Sequence, residues 1–294
     1  MSISPLNLQT PGVYIDEVNA FPNSVVEVAT AIPAFIGYTP QASYEGKSYL
    51  NIPVKVTSFQ EFQAFFMYPN PPAPAPPAVQ YHPQYYVQAQ SKAPAKGAYC
   101  DLNGQIYTVN PDPGTIYYLY NSVRLFYENG GGTAYIVSVG SYGPPTKLPI
   151  TQGALIVNPN VKLSDLTAGL AQLKKTTEVT MYVVPEATLL SNDDNSTLME
   201  VMLLQNGDMG TAISIFDIIG GDAPDPILYT QDIQNFRNST GNNSLKYGAA
   251  YYPFLETTIT QSDEISYLNL NGGDTSVLAS IVNPPSAPNP AAEQ

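Results

Sequence analysis

The chain has 294 residues, of which 11 are Lys or Arg and 24 are Asp or Glu, so its net charge is -13. This charge excludes a protein that binds nucleic acid through a basic face, and it argues against docking on an anionic membrane. Charged residues make up only 12% of the chain and tyrosines number 22, a composition that favours extensive contacts with other protein.

Residues 1–20 are the first predicted element, an extended arm without the basic and apolar regions of a signal peptide. No apolar run approaches about 18 residues, so we expect no direct membrane insertion. Apolar and polar side chains alternate along the arm, which favours a strand added to a neighbouring subunit's sheet, or else an edge strand of the same subunit. The residues of this inter-subunit arm are Val13, Tyr14, Ile15, Asp16, Glu17 and Val18.

The predicted core begins with residues 21–68. Residues 34–38 are a short apolar run, typical of a buried strand. Residues 58–68 have phenylalanines at the spacing of one helix face. Ser58 is the predicted N-cap, and Glu61, three residues later, completes a capping box.

Residues 69–114 are predicted to be a variable surface insertion, because this Pro- and Tyr-rich stretch cannot build a core alone. A hairpin is possible over residues 98–109, with its turn at residues 103–104. We expect Tyr81, Tyr85 and Tyr86 either to pack on this hairpin or to form an outer contact patch.

From residue 115 the pattern becomes regular, and it predicts helices that alternate with apolar strands. The predicted helices cover residues 116–127, 163–175 (with Ser164 as N-cap), 195–205 and 231–238. The predicted strands cover residues 133–139, 179–184, 211–219 and 247–252. This alternation favours an α/β fold whose parallel sheet lies between two helical layers. The core thus comprises residues 21–68 and 115–282, and residues 283–294 are a Pro-rich tail.

Candidate chemistry is sparse along this scaffold. Asp222 and Asp225 follow a predicted strand, where a metal-dependent enzyme could hold its ion, but no histidine accompanies them. The only cysteine, Cys100, and the only histidine, His82, lie in the irregular insertion. Residues 130–132 are glycines that precede a strand, so they indicate a helix C-cap rather than a phosphate loop. We therefore predict no catalytic residue, no metal and no cofactor.

Three stretches, taken in this order, resemble contractile tail sheath proteins, and most of all those of phage-tail-like extracellular injection systems. Residues 10–18 and 28–39 resemble the family's first two strands. Residues 119–139 are similar to its helix–turn–strand segment, and residues 247–255 to a later strand. The family-motif residues in the last two stretches are Phe126, Asn129, Gly130, Gly131, Tyr252 and Pro253.

The resemblance implies a subtilisin-like core without a protease site, and a structural role. Sheath subunits stack as rings around an inner tube protein, between baseplate and terminator proteins, and their contraction drives the tube through a target envelope. It implies assembly in the cytoplasm as part of a phage-tail-like particle, which is released or virion-like.

One departure is that sheath proteins continue beyond the strand similar to residues 247–255, whereas only residues 283–286 resemble the start of that second half. This predicts a truncation point near residues 283–294, or a partner that supplies the missing elements. Two alternatives stay open: the α/β enzyme with a metal near Asp222 and Asp225, and a surface adhesin or decoration module built around residues 69–114.

Overall fold

A six-stranded sheet forms the centre of the computed structural model. The structure describes residues 31–68, 82–94, 98–102, 104–151, 154–222, 227, 229–262 and 264–282. The chain divides into two compact units, residues 1–30 and 31–294, so the description concerns only the second one. The predicted arm and the predicted tail lie outside the described residues.

The elements are numbered along the chain. The strands are β1 (Pro33–Thr39), β2 (Ser43–Tyr44), β3 (Lys47–Ser48), β4 (Val54–Val56), β5 (Tyr85–Gln90), β6 (Tyr99–Leu102), β7 (Gln105–Pro111), β8 (Ala134–Ser141), β9 (Met181–Val183), β10 (Ile213–Asp217) and β11 (Gly248–Tyr251). The helices are α1 (Phe59–Phe66), α2 (Leu119–Glu128), α3 (Leu163–Gln172), α4 (Asn192–Met209), α5 (Tyr229–Ser239) and α6 (Thr275–Val282).

The central sheet has the strand order β11-β10-β9-β1-β8-β4. Its first five strands are parallel, and β4 is antiparallel to β8 at one edge. Counted along the chain, the parallel strands β8, β1, β9, β10 and β11 are second, first, third, fourth and fifth, which is a doubly wound order. The predicted α/β class with a mainly parallel sheet is therefore confirmed.

Helices cover both faces of this sheet, which makes three layers. All seven residues of β1 are buried, because successive side chains enter opposite layers. Ile36 joins the core formed with α3 and α4, whereas Phe35 joins the one formed with α1 and α2. In the core formed with α3 and α4, Leu166 and Leu170 of α3 are fully buried, as the helical spacing of leucines predicts.

Most predicted elements are present, with shifted ends. Helix α4 extends the prediction for residues 195–205 by three residues at its start and four at its end. The Ser58 side chain caps α1, as predicted, but the Glu61 carboxylate accepts from the Thr57 backbone N–H rather than from Ser58.

The predicted cap of α3 is wrong, because the N-cap residue is Lys162 and Ser164 lies inside the helix. The Tyr38 hydroxyl of β1 replaces a local cap. It accepts from the Lys162 backbone N–H at 3.0 Å and donates to Asp165 Oδ2 at 2.8 Å. A distant tyrosine therefore satisfies an amide at this helix start.

A second, three-stranded antiparallel sheet has the order β5-β7-β6. It contains the predicted hairpin, in which Leu102 pairs with Gln105 and Gly104 adopts a φ of 84°. The third strand, β5, was not predicted, and it contacts a later part of the chain through a bridge between Tyr85 and Leu270. The described part of the predicted insertion is thus an ordered sheet.

Candidate functional site

Residues 119–139, which were identified as a helix–turn–strand segment, contain α2, a tight turn and most of β8. Asn129 ends α2, and both its backbone N–H and its side-chain amide donate to the Leu125 carbonyl, at 3.1 and 2.8 Å. Gly130 has a φ of 82°, a conformation that favours glycine. The Gly131 N–H donates to the Phe126 carbonyl at 2.9 Å, and a Cβ there would lie 2.5 Å from the Phe126 ring. These residues form the predicted C-cap and turn.

Phe126 connects this turn to the central strand. Its ring contacts that of Phe35 on β1 edge-on, with the ring centroids 5.7 Å apart. It also contacts the neighbouring Tyr127 ring at 5.1 Å. The motif residues thus fix the angle at which α2 returns into β8.

Residues 247–255, the last of the stretches singled out in the sequence, lie at the β11 edge of the central sheet. The Tyr252 hydroxyl donates to Asp232 Oδ2 on α5 at 3.0 Å. Pro253 follows, and the next backbone N–H, of Phe254, donates to the Gly221 carbonyl at 2.9 Å. These bonds join the end of β11 to α5 and to the turn after β10.

The two edges of the central sheet differ. At one edge β4 has only three residues, and its exposed Lys55 lies 2.6 Å from Glu178. At the other edge β11 pairs with β10 alone among the described residues, and Tyr251 is 61% exposed. A short strand that bears a charge resists pairing with another chain, whereas an open neutral edge permits it.

The candidate contact residues are only partly described. Residues 13–18 and Tyr81 lie outside the described residues. Tyr85 and Tyr86 are half-buried on β5, opposite Pro111 and Asn110 of β7, and burial raises the pKa of both hydroxyls. Tyr85 also forms a bridge with Leu270, outside the insertion, so the choice between the two predicted arrangements stays a prediction.

Glu186 occupies the crevice where the strand order reverses, at the carboxyl ends of β1 and β9. Its side chain is fully buried. Oε1 accepts from the Leu119 and Tyr118 backbone N–H groups at 2.9 and 3.3 Å, at the start of α2. Oε2 lies so close to Gly37 that a Cβ there would be 2.1 Å away. Ligands of doubly wound folds bind in this crevice, and here the chain's own carboxylate fills the helix N-terminus.

The Glu186 carboxyl titrates near neutrality. Burial raises its pKa from 4.5 to about 7, because the charged form loses its hydration, while the backbone N–H groups oppose this rise. Oε2 has no hydrogen-bond partner among the described atoms. The sequence places Glu186 after a predicted strand, but no sequence signal marks its burial.

A cleft of about 640 Å³ lies at the carboxyl end of β10, between α4 and α5. Asp222, one of the two carboxylates of the alternative metal-enzyme hypothesis, is exposed at its rim, whereas Asp225 lies outside the described residues. No cluster of three or more His, Cys, Asp or Glu side chains suited to a metal occurs in the part of the chain that is described.

His82 and Cys100 have different surroundings. His82 is 4% exposed, its Nε2 lies 3.7 Å from Glu264 Oε2, and burial lowers its pKa. Arg124 on α2 donates through Nη1 to both Glu264 oxygens, at 2.8 and 3.0 Å. Cys100 is exposed on β6. The group of buried His82 with the partly buried Arg124 and Glu264 was not predicted, since its members are far apart in sequence.

No family model matches the chain, and no curated protein matches it significantly in sequence. Among the helices of the described residues, none is long and apolar enough to cross a membrane.

Proposed function

We propose that the chain is a structural sheath subunit of a contractile, phage-tail-like injection system. In this proposal it polymerises around an inner tube protein, between baseplate and terminator proteins, and its contraction drives the tube through a target envelope. Assembly takes place in the cytoplasm, and the particle is then released or forms part of a virion.

The observation that carries the proposal is where the resembling stretches lie in the fold. The described part of residues 28–39 forms the central strand β1, residues 119–139 form α2 and β8 beside it, and residues 247–255 contain the edge strand β11. Stretches far apart in sequence thus belong to one sheet, as expected if they are the shared core of a family. We assign this sheet to the subtilisin-like core that the resemblance implies, with residues 69–114 as its variable outer insertion.

The filled crevice at Glu186 also supports a structural role. In an enzyme of this class the switch point would be open to substrate. Here a buried carboxylate occupies the α2 N-terminus, and Gly37 lets it approach the backbone of β1.

The β11 edge, which has no partner strand on its outer side among the described residues, supports assembly by strand addition. Backbone N–H and C=O groups along an exposed strand can pair with an extended segment of another subunit. The arm of residues 13–18 has the alternation needed for such a strand, and Tyr251 at the edge offers an exposed ring.

Negative-stain microscopy of particles from the native source tests the proposal. We expect striated tubes in a long and a short form, with this chain as their outer layer. Preparations that contain the chain but no tubes would contradict the proposal.

Deletion of residues 1–18 tests the arm separately. We expect the shortened chain to keep its α/β core, measured by circular dichroism, and to lose assembly. A double change of Val13 and Ile15 to Pro removes the N–H groups that a ladder needs, while the matched change of both to Ala keeps them. Tubes that still form from the Pro variant would rule out strand addition by the arm.

The second candidate is an α/β enzyme with a metal near Asp222, which borders the cleft, although the described residues hold no cluster of three or more side chains suited to a metal. Elemental analysis of the purified protein distinguishes the two. A tight, stoichiometric metal that Asp222→Asn removes would favour the enzyme.

A further inference from the structure

The cleft at the carboxyl end of β10 has a floor that is mainly apolar. Ile218 is buried at the end of the strand, and Ile156 and Phe236 pack against the core from either side. Its volume of about 640 Å³ lies within the range of about 300–1,000 Å³ typical of small-molecule sites. A ligand with an apolar body can therefore cover this floor.

The walls of the cleft carry amide side chains and two carboxylates, and none of the described residues that line it is basic. The amides belong to Asn192, Asn195, Gln231 and Asn235. The carboxylates belong to Asp222, at the turn after β10, and to Asp232 on α5. Within the lining, the only full charges are therefore negative.

Asp232 is held in a defined position. Its Oδ2 accepts from the Tyr252 hydroxyl at 3.0 Å, and a Cβ on Gly220 would lie 3.3 Å from its oxygens. Since an ionised carboxylate offers about four acceptor sites, one phenol bond leaves capacity for a ligand's N–H groups.

The start of α4 also borders the cleft, and helix N-termini attract anions. Here the chain itself supplies a hydrogen-bond acceptor and negative charges at this helix N-terminus. The Ser191 hydroxyl accepts from the Asp194 N–H at 3.2 Å, and Asp193 and Asp194 both lie in the first turn. A cation near Asp222 and Asp232 is therefore favoured over an anion.

We propose that this cleft binds a small organic cation. Its ammonium or guanidinium group lies between Asp222 and Asp232, and its apolar body packs on Ile156, Ile218 and Phe236. This inference is independent of the proposed sheath function, because it concerns only the described cleft.

Tyramine and 4-ethylphenol form a matched pair of probes, because 4-ethylphenol has the same ring and lacks only the amine. Saturation-transfer NMR detects either probe whether the full chain is dispersed or assembled, and titration calorimetry gives the affinity. We expect saturable binding of tyramine, about tenfold or more tighter than that of 4-ethylphenol, and weakened by added salt.

Asp222→Asn is the test variant, because Asp222 is exposed and its loss leaves the core intact. We expect it to weaken tyramine binding about tenfold. Asp208→Asn is the control, since it removes the same charge from an exposed position of α4 outside the cleft, and it should have no effect. Equal affinity for the two probes, equal effects of the two variants, or no saturable binding of tyramine would each overturn the proposal.

Discussion

The central sheet and the three-stranded sheet are held in place by different forces. In the middle of the central sheet, β1, β8 and the helices packed on them bury Phe, Leu, Ile and Val side chains with almost no exposure. In the three-stranded sheet β6 is exposed throughout and β5 is half-buried or exposed, and the only buried residues of β7 are the polar Thr108 and Asn110. Apolar burial therefore positions the first region, whereas the second needs specific polar contacts.

These polar contacts are concentrated at a few residues. The Asp112 carboxylate, fully buried just after β7, accepts from the backbone N–H groups of Gly114, Thr146 and Lys147 at 2.7–3.1 Å. The Val87 N–H of β5 donates to Asn271 Oδ1 at 3.1 Å. A small number of hydrogen bonds thus connects this sheet to distant segments, so each is expected to matter locally.

The largest expected effect is in the apolar core. Phe62 on α1 is fully buried, and Phe62→Ala should lower the free energy of unfolding by about 3–5 kcal/mol, because it leaves a cavity that cannot fully collapse. Val109→Ala in the second sheet is a smaller truncation at a residue that is 45% exposed, and it should cost less than about 1 kcal/mol. Urea denaturation of both variants measures the difference. Similar losses would mean that the two regions do not differ as described.

Glu186, a buried carboxyl group just after β9, gives the next effect. Its pKa of about 7 in the folded chain exceeds the ordinary 4.5, so the folded state binds this proton more tightly than the unfolded state. The stability that this group contributes is complete below about pH 4.5 and is lost as the pH rises through about 7. The total loss corresponds to about 3 kcal/mol.

Glu186→Gln should remove this pH dependence, since the amide does not ionise. The control is Glu256→Gln, which changes an exposed carboxylate and should leave the profile as it is. Urea denaturation between about pH 4.5 and about pH 8 gives the profiles. A Glu186→Gln profile parallel to that of the unchanged chain would contradict a titration at this residue.

Sequence patterns predicted the five parallel strands of the central sheet because these strands and their helices have local signals, whereas the short edge strand β4 was not predicted. The buried run at residues 34–38 and the leucine stripe of α3 depend only on spacing. The cap of α3 by Tyr38, the burial of Glu186 and the ionic group of Arg124 and Glu264 depend on residues that only the fold brings together. The hairpin β6-β7 was predicted from its turn, whereas β5 pairs with β7 across a longer, irregular connection and gave no such signal.

Asp112→Asn tests the polar attachment of the second sheet. The amide can accept at only one atom, so at least one of the three backbone N–H groups loses its partner, at a cost of about 1–3 kcal/mol. Hydrogen exchange should rise at Thr146 and Lys147, while amides of β1 keep their protection. Asp101→Asn in the same sheet is the control, since exposed Asp101 accepts only from the Gly104 N–H at 2.8 Å among the described contacts. Faster exchange throughout β1 would show that the attachment is not local.

The smallest effect on stability is expected at the β4 edge, where Lys55 pairs with Glu178. Both side chains are about half exposed, so water and salt screen the pair, and Lys55→Val should leave the urea midpoint unchanged. The lysine instead opposes pairing of this edge with another chain. With valine, residues 54–56 become a continuous apolar strand, whose only partner among the described strands is β8. We therefore expect Lys55→Val to increase self-association in sedimentation velocity, whereas Lys92→Val, which changes an exposed residue outside any strand, should not. Lower stability without added association would indicate that the ion pair stabilises the fold and that the charge does not protect the edge.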